Sequence, residues 1–164
     1  MTEHRLVSDF VIPRPRAEVF AFFSDVANLE RLTPPWLNFS ILTPLPVPMR
    51  QGALIDYRIR LRGLPMTWKT LISTWDPPHR FVDEQLRGPY RLWHHTHEFL
   101  DVPASHGGGT RMIDTVRYAL PMGPLGGLAH RLFVRRDLER IFAYRRIHLE
   151  QIMGPASPTT PTAP

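Results

Sequence analysis

The sequence predicts one α+β domain, in which a curved seven-stranded antiparallel sheet closes on a long C-terminal helix and leaves a cavity between them. Apolar side chains recur with a period of two in segments between residues 5 and 120, as they do in half-buried strands. From residue 125 to about residue 152 the period changes to that of an α-helix. Clusters of Pro and Gly separate these segments and mark the turns.

The composition is that of one globular domain. With 164 residues the chain can bury roughly two-thirds of its unfolded surface around one core. Its 43% hydrophobic and 21% charged residues exclude both wholesale disorder and a membrane protein. Cysteine is absent, which excludes disulfide and thiolate chemistry. We therefore assign residues 1–153 to the domain and predict that segment 154–164, rich in Pro and Thr, is a disordered tail.

The net charge of +5 raises nucleic acid or an anionic membrane as possible partners. The excess is mostly arginine and follows no zinc-binding or helix-turn-helix spacing. We therefore predict a solvated exterior, no nucleic-acid partner and no stable membrane insertion. Residues 1–5 do not form a basic and apolar leader, so we expect a cytoplasmic protein. The scattered arginines are Arg58, Arg60, Arg62, Arg111, Arg117, Arg131, Arg135, Arg136, Arg145 and Arg146.

The first elements are a strand and two short helices. The strand runs over residues 5–13, and Pro15 suits the first turn of a helix that continues to about Ser24. A second short helix is predicted at 28–32. A short strand that ends near residue 41 then precedes a Pro-rich loop.

The next strands show which face points inward. In the segment that starts at residue 53, one parity is apolar and the other charged, so the apolar set should face the core. The following strand alternates in the same way, whereas both faces of the strand at 81–86 mix polar and apolar residues. The inward sets of the first two strands are Ile55, Tyr57, Ile59 and Leu61, then Met66, Trp68, Thr70 and Ile72.

The last two strands form the hairpin that carries the polar candidates. If Phe99 pairs with Met112, then His97 faces Asp114 across the ladder. A slip of two residues would bring His95 to Asp114 instead, and a slip of one would destroy the match of faces. The inward sets are Trp93, His95, His97 and Phe99, then Met112, Asp114, Val116 and Tyr118.

The long helix follows a glycine-rich segment at 123–127. This segment lacks the lysine and the serine or threonine of a phosphate-binding loop, so we predict an entrance loop and no nucleotide site. The helix carries an apolar stripe opposite a charged side, as expected for a helix packed along a sheet.

The order of elements and several local segments resemble the START-like, Bet v 1-like superfamily, also called SRPBCC or the polyketide cyclase and dehydrase group. The resemblance covers nearly the whole folded chain. It implies a helix-grip fold with a cavity between the long helix and the concave sheet, in a group that includes lipid carriers, hormone receptors, aromatase/cyclases and ring hydroxylase subunits. The segments that carry it are Val11–Phe20, Pro78–Gln85, Gly88–Tyr90, the alternation from Trp93 to Phe99, and Gly109–Tyr118.

Two interpretations assign chemistry to the histidines. His95 and His97 could ligate iron or zinc with Asp114, but the sequence places no second clear carboxylate at the same spot, so we predict no metal and no cofactor. Alternatively, His97 and Asp114 form a catalytic dyad, in which the carboxylate fixes the imidazole tautomer for a cyclase, dehydratase or isomerase. A buried aspartate that merely needs a partner would give the same pattern.

The preferred interpretation is a binding pocket without chemistry. A mostly apolar concavity with a few polar groups is typical of small-molecule sites, and the expected ligand is apolar or aromatic with at least one oxygen. Large aromatics that fill the core would leave no such space. The pattern does not determine an oligomeric state. The candidate ligand-binding residues are Tyr57, Trp68, Gln85, Trp93, His95, His97, Asp114 and Tyr118.

Overall fold

The computed structural model describes residues 2–121, 133–155 and 157–158. Within these residues two short helices follow the first strand, and a long helix follows the seventh. The strands are β1 (His4–Ile12), β2 (Ser40–Ile41), β3 (Leu54–Leu61), β4 (Leu64–Asp76), β5 (Arg80–Arg87), β6 (Leu92–Asp101), β7 (Thr110–Ala119) and β8 (Ser157–Pro158). The helices are α1 (Arg16–Ser24), α2 (Asn28–Leu32) and α3 (Arg135–Met153).

The strands form one antiparallel sheet in the order β2-β3-β4-β5-β6-β7-β1-β8. The predicted fold, with seven strands, two short helices and a long C-terminal helix, is confirmed. The two-residue β8 pairs with β1 inside the segment predicted to be a tail. The rest of the tail beyond Ser157–Pro158, the glycine-rich segment 123–127 and the predicted start of the long helix lie outside the described residues.

The register of the β6–β7 hairpin is the first of the two alternatives that the sequence left open. His97 pairs with Asp114, and Phe99 pairs with Met112. The face pattern excluded a shift of one residue, because such a shift would have put the inward faces of the two strands on opposite sides of the sheet, but it did not exclude a shift of two.

The faces of β5 were ambiguous because its inward face carries a charged residue. Phe81 and Asp83 both line the cavity, opposite His97 and His95, so the two sides of β5 alternate regularly there. Val82 lies on the other face of the strand and is also buried. The neighbouring strand β4 has a β-bulge at Ser73, since Ile72 pairs with Asp83 and Thr74 pairs with Val82.

The long helix is attached to the sheet at both ends. Near its start, Arg62 at the β3–β4 turn makes two contacts with the Asp137 carboxylate, at 3.0 and 3.3 Å. At its end, Arg14 Nε donates to the Met153 carbonyl at 3.0 Å, where the helix dipole favours a cation. Gly154 ends the helix with φ +100°, a conformation that suits glycine.

A groove runs between α3 and the concave face of the sheet, and aromatic side chains fill the part of it next to α1. Phe20 and Phe23 of α1 lie edge-on or tilted against Phe99 of β6, with centroids 5.3 and 5.7 Å apart. Phe99 is fully buried, and Leu149 and Met153 of α3 belong to the same cluster. This packed end of the groove forms the main hydrophobic core.

Candidate functional site

A cavity of about 180 Å³ lies between α3, the α2 region and the concave face of the sheet. An apolar cavity of about 150 Å³ in another protein accepts benzene, so the space suits a small aromatic molecule. Its lining is mostly apolar. The residues that line it are Phe23, Val26, Leu29, Thr33, Leu37, Phe39, Met49, Ile55, Tyr57, Ile59, Leu61, Trp68, Thr70, Ile72, Phe81, Asp83, Tyr90, Trp93, His95, His97, Leu138, Ile141, Phe142 and Arg145.

Five of the eight candidate ligand-binding residues line this cavity: Tyr57, Trp68, Trp93, His95 and His97. The other three stand elsewhere. Gln85 folds over the β5–β6 turn, where its Nε2 donates to the Tyr90 carbonyl at 2.6 Å and its Oε1 accepts from the Tyr90 N–H at 3.2 Å. Asp114 lies behind the histidines, and Tyr118 packs with Val116 and Leu138 in a separate cluster.

The aromatic part of the cavity wall is a chain of ring contacts. Tyr57 stacks on Trp68 with centroids 5.8 Å apart, and Trp68 meets Trp93 edge-on at 5.2 Å. Tyr90 completes the chain, 4.8 Å from Trp93. Sequence reasoning had not proposed Tyr90, because it precedes β6 and its position depends on Gln85. Such offset and edge-on contacts keep the rings rigid while they leave open space beside them.

Four ionisable residues form what we call the buried quartet: Asp83, His95, His97 and Asp114. His97 lies between the two carboxylates, with Nε2 2.8 Å from Asp83 Oδ2 and Nδ1 2.7 Å from Asp114 Oδ1. His95 has the same two neighbours, at 3.3 Å from Asp83 and 3.4 Å from Asp114. The two imidazole centroids are 3.8 Å apart.

The quartet is held by charge more than by aligned hydrogen bonds. The contact between His97 and Asp83 has hydrogen-bond geometry, whereas Asp114 Oδ1 and the ring nitrogens that face it are not aligned for one. Burial alone would lower the pKa of His95, but the nearby charges of Asp83 and Asp114 outweigh burial and raise the pKa to about 9. At neutral pH, His95 is therefore an imidazolium between two carboxylates.

Burial raises the pKa of buried carboxyl groups and phenols alike, but the net shifts of these groups are opposite in sign. Burial opposes ionisation of Asp83 and Asp114, but the charges of the histidines outweigh it and hold the pKa of both carboxyl groups well below the usual range. Burial raises the pKa of Tyr57 and Tyr90 far above that of a free phenol. These two hydroxyls therefore stay neutral.

Asp83 is a cavity residue that the sequence analysis did not propose, and it takes the place of Asp114 on the cavity side. Asp83 lines the cavity and pairs with His95 across the β5–β6 ladder, whereas Asp114 is 1% exposed and does not line it. The hypothesis of two histidines with Asp114 therefore named the carboxylate behind the rings. The β5–β6 register, which brings Asp83 opposite His95, was the signal that could have identified it.

One set of residues has the spacing of metal ligands. One donor atom from each of Asp83, His95 and His97 lies within 4.8 Å of the other two. Two imidazoles and one carboxylate suit iron or zinc, so this set could hold such an ion. The same side chains also satisfy one another as ion pairs, because each carboxylate contacts both imidazoles.

Arg145 on α3 corrects the expectation that the arginines all belong to a solvated exterior. It lines the cavity, and its guanidinium lies 5.4 Å from the centroid of the Phe23 ring. Its Nε is buried, with no hydrogen-bond partner among the described residues. Trp68 Nε1 is a second buried donor in the same state.

No described helix is both long and apolar enough to cross a membrane.

The comparisons with known proteins agree with this geometry. Residues 12–155 match the model of a family described as polyketide cyclase / dehydrase and lipid transport. No curated protein matches the sequence significantly. Among solved structures, TTHA0849 from Thermus thermophilus has 24% identity and a TM-score of 0.62 over 92% of this chain and 95% of that one.

Two further structures share the fold at lower identity. Ginseng major latex-like protein 151 from Panax ginseng has 9% identity and a TM-score of 0.65, over 93% of this chain and 99% of that one. The Zhui aromatase/cyclase from Streptomyces sp. R1128 has 14% identity and a TM-score of 0.64, over 92% of this chain and 96% of that one. At these identities the structural matches show a common fold, and the family model spans most of the sequence. This chain belongs to the polyketide cyclase / dehydrase and lipid transport family.

Proposed function

We propose that this protein binds a small apolar or aromatic molecule in the cavity between α3 and the sheet, as a carrier or a sensor. The observation that carries the proposal is the cavity itself, about 180 Å³ in volume with a mostly apolar wall. Such a wall favours an apolar guest, because water inside it finds few hydrogen-bond partners. The family also includes lipid transport in its description, which supports a hydrophobic ligand.

The test is a titration with a small neutral fluorescent arene, naphthalene. Ile141→Trp should fill the cavity from the helix side, because Ile141 is one of its lining residues. Ile147→Trp is the matched control, since Ile147 lies on the same helix but is 54% exposed. We expect the wild type and Ile147→Trp to bind the arene, and Ile141→Trp to bind it at least about tenfold more weakly. Absence of binding to the wild type, or equal affinity for both variants, would overturn the proposal.

A second candidate function is a cyclase, dehydratase or isomerase that uses His97. The observation in its favour is that His97 lines the cavity with a carboxylate at each ring nitrogen, and that its ring stacks on Phe81 at 4.2 Å. Because each ring nitrogen of His97 faces a carboxylate, proton exchange between His97 and a bound molecule would pass through Asp83, which also lines the cavity. General acid–base catalysis contributes about 10²- to 10⁴-fold.

If the protein is such an enzyme, the protons next to the carbonyl of an aryl ketone should exchange with D₂O faster in its presence than in buffer alone. NMR measures the exchange rate. His97→Gln should slow this exchange by about 100-fold or more and leave the affinity for the arene unchanged. His94→Gln is the control, because His94 lies on the same strand and pairs with Glu84 outside the cavity. If the ketone protons exchange at the wild-type rate in the presence of either variant, His97 has no catalytic role in proton transfer.

A further inference from the structure

Apart from the histidine nitrogens that face Asp114, two hydrogen-bond donors in the cavity wall have no acceptor among the described residues. They are the guanidinium Nε of Arg145 and the indole Nε1 of Trp68, and both atoms are buried. A buried donor without a partner is uncommon in a folded protein, because it loses its hydrogen bonds to water and gains nothing in return. A ligand that supplies acceptor oxygens would restore both bonds.

We propose that the natural ligand is an organic acid, with an apolar or aromatic body and a carboxylate or equivalent oxyanion that Arg145 binds. The proposal rests on the proposed binding function and names the class of ligand. Trp68 donates to a second oxygen of the same molecule, and the aromatic wall packs on its body.

The sequence of α3 leaves Arg145 without a carboxylate on its own helix. Arg135 and Arg146 each contact a glutamate four residues later, Glu139 at 2.9 Å and Glu150 at 3.2 Å. The residues four positions before and after Arg145 are Ile141 and Leu149. The two glutamates neutralise the charges of Arg135 and Arg146. Arg145 has no glutamate at the corresponding position.

The carboxylates of the buried quartet do not take the place of a ligand at Arg145. Asp83 and Asp114 contact both histidines, and among the described residues neither has an ion pair with Arg145 within 4.0 Å. The charge of Arg145 reaches Asp114 and helps to lower its pKa, but the guanidinium Nε–H makes no hydrogen bond to it. Arg145 is also the sole arginine or lysine that lines the described cavity.

The polar groups beside Trp68 are already paired. Thr70 Oγ1 donates to the Tyr57 hydroxyl at 3.4 Å, and the indole N–H of Trp68 makes no hydrogen bond to either oxygen. Trp68 is 5% exposed, so water reaches it poorly. A site built with unpaired donors discriminates against ligands that lack acceptors, because those ligands leave the donors unpaired.

The experiment compares acids with their matched alcohols by isothermal titration calorimetry. The pairs are phenylacetic acid with 2-phenylethanol, and naphthalene-2-acetic acid with 2-(2-naphthyl)ethanol. The wild type should bind at least one acid at least about tenfold more tightly than its alcohol. Arg145→Met should remove this preference, so that the acid and its alcohol bind with affinities within about threefold of each other. Arg145→Gln is the second variant if Arg145→Met does not fold.

Arg136→Met is the matched control, because Arg136 is exposed on the same helix and does not line the cavity. It should keep the full preference for the acid. Equal affinity of the wild type for acid and alcohol would overturn the assignment to acids and leave the proposed binding function intact. Retention of the preference in Arg145→Met would overturn the role of Arg145. If the wild type binds neither member of either pair, the assignment and the proposed binding function both fail.

Discussion

Aromatic side chains pack closely at one end of the groove between α3 and the sheet, and they line a cavity at the other end. Strand β6 contributes Phe99 to the packed end, where it is fully buried between Phe20 and Phe23. Six residues earlier it contributes Trp93 to the cavity wall, where the rings meet edge-on and leave space. The packed end stabilises the fold, and the open end leaves a cavity at the expense of packing energy.

The first variant compares a core side chain with its neighbour on the outer face. Phe99→Ala should lower the free energy of unfolding by about 3–5 kcal/mol, because it leaves a void in the packed end. Leu100→Ala should cost less than about 1 kcal/mol, since Leu100 is 45% exposed. Urea denaturation measures both. Similar losses for the two variants would mean that the α1 end is not the main core.

The buried quartet is the second stabilising feature, at the boundary between the two ends. Asp114→Asn should lower the free energy of unfolding by about 3–4 kcal/mol, because it leaves the charge of His95 less compensated in a buried place. Asp76→Asn is the exposed control and should change it by less than about 0.5 kcal/mol. An Asp114→Asn variant as stable as the wild type would contradict the account of the quartet as a charge-held unit.

The pH dependence of stability provides a third check on the quartet. The pKa of His95 is raised in the folded protein, so its contribution is fully present below about pH 6.5 and disappears as the pH rises through about 9. The loss should reach up to roughly 3 kcal/mol at 1.36 kcal/mol per pKa unit. Urea denaturation from pH 6 to 10 measures it. His95→Gln should flatten this slope, and a flat slope in the wild type would contradict the raised pKa.

The aromatic part of the cavity wall should be less sensitive for stability than the packed end, and sensitive for binding. Trp93→Leu should change the free energy of unfolding by less than about 1 kcal/mol, since the half-buried ring already borders open space. The same variant should bind naphthalene about tenfold more weakly, because it loses aromatic contact area. A large loss of stability with unchanged binding would place Trp93 in the core instead.

The sequence narrowed the β6–β7 register to two alternatives, because a shift of one residue would have separated the two inward faces. The structure has His97 opposite Asp114, which is the first of these alternatives. Asp83 could not be assigned from the pattern, because β5 has a charged side chain on its inward face and the buried Val82 on the other, so neither face is clearly apolar.

Arg145 was the other residue that the pattern could not place. Most arginines of the chain carry no mark that separates a surface position from the edge of a cavity, and long cationic side chains reach well beyond their own position on a helix. The sequence near Arg145 showed only that position 149 does not hold a glutamate that could pair with it. This became informative when the structure placed Arg145 beside Phe23.

A crystal structure of the protein with naphthalene-2-acetic acid tests the binding cavity most directly. We expect the bicyclic ring to lie between the aromatic wall at Trp93 and helix α3, with its carboxylate within hydrogen-bond distance of Arg145. A structure in which side chains occupy that space, or in which the acid binds only outside it, would contradict the claim that this cavity is the ligand site.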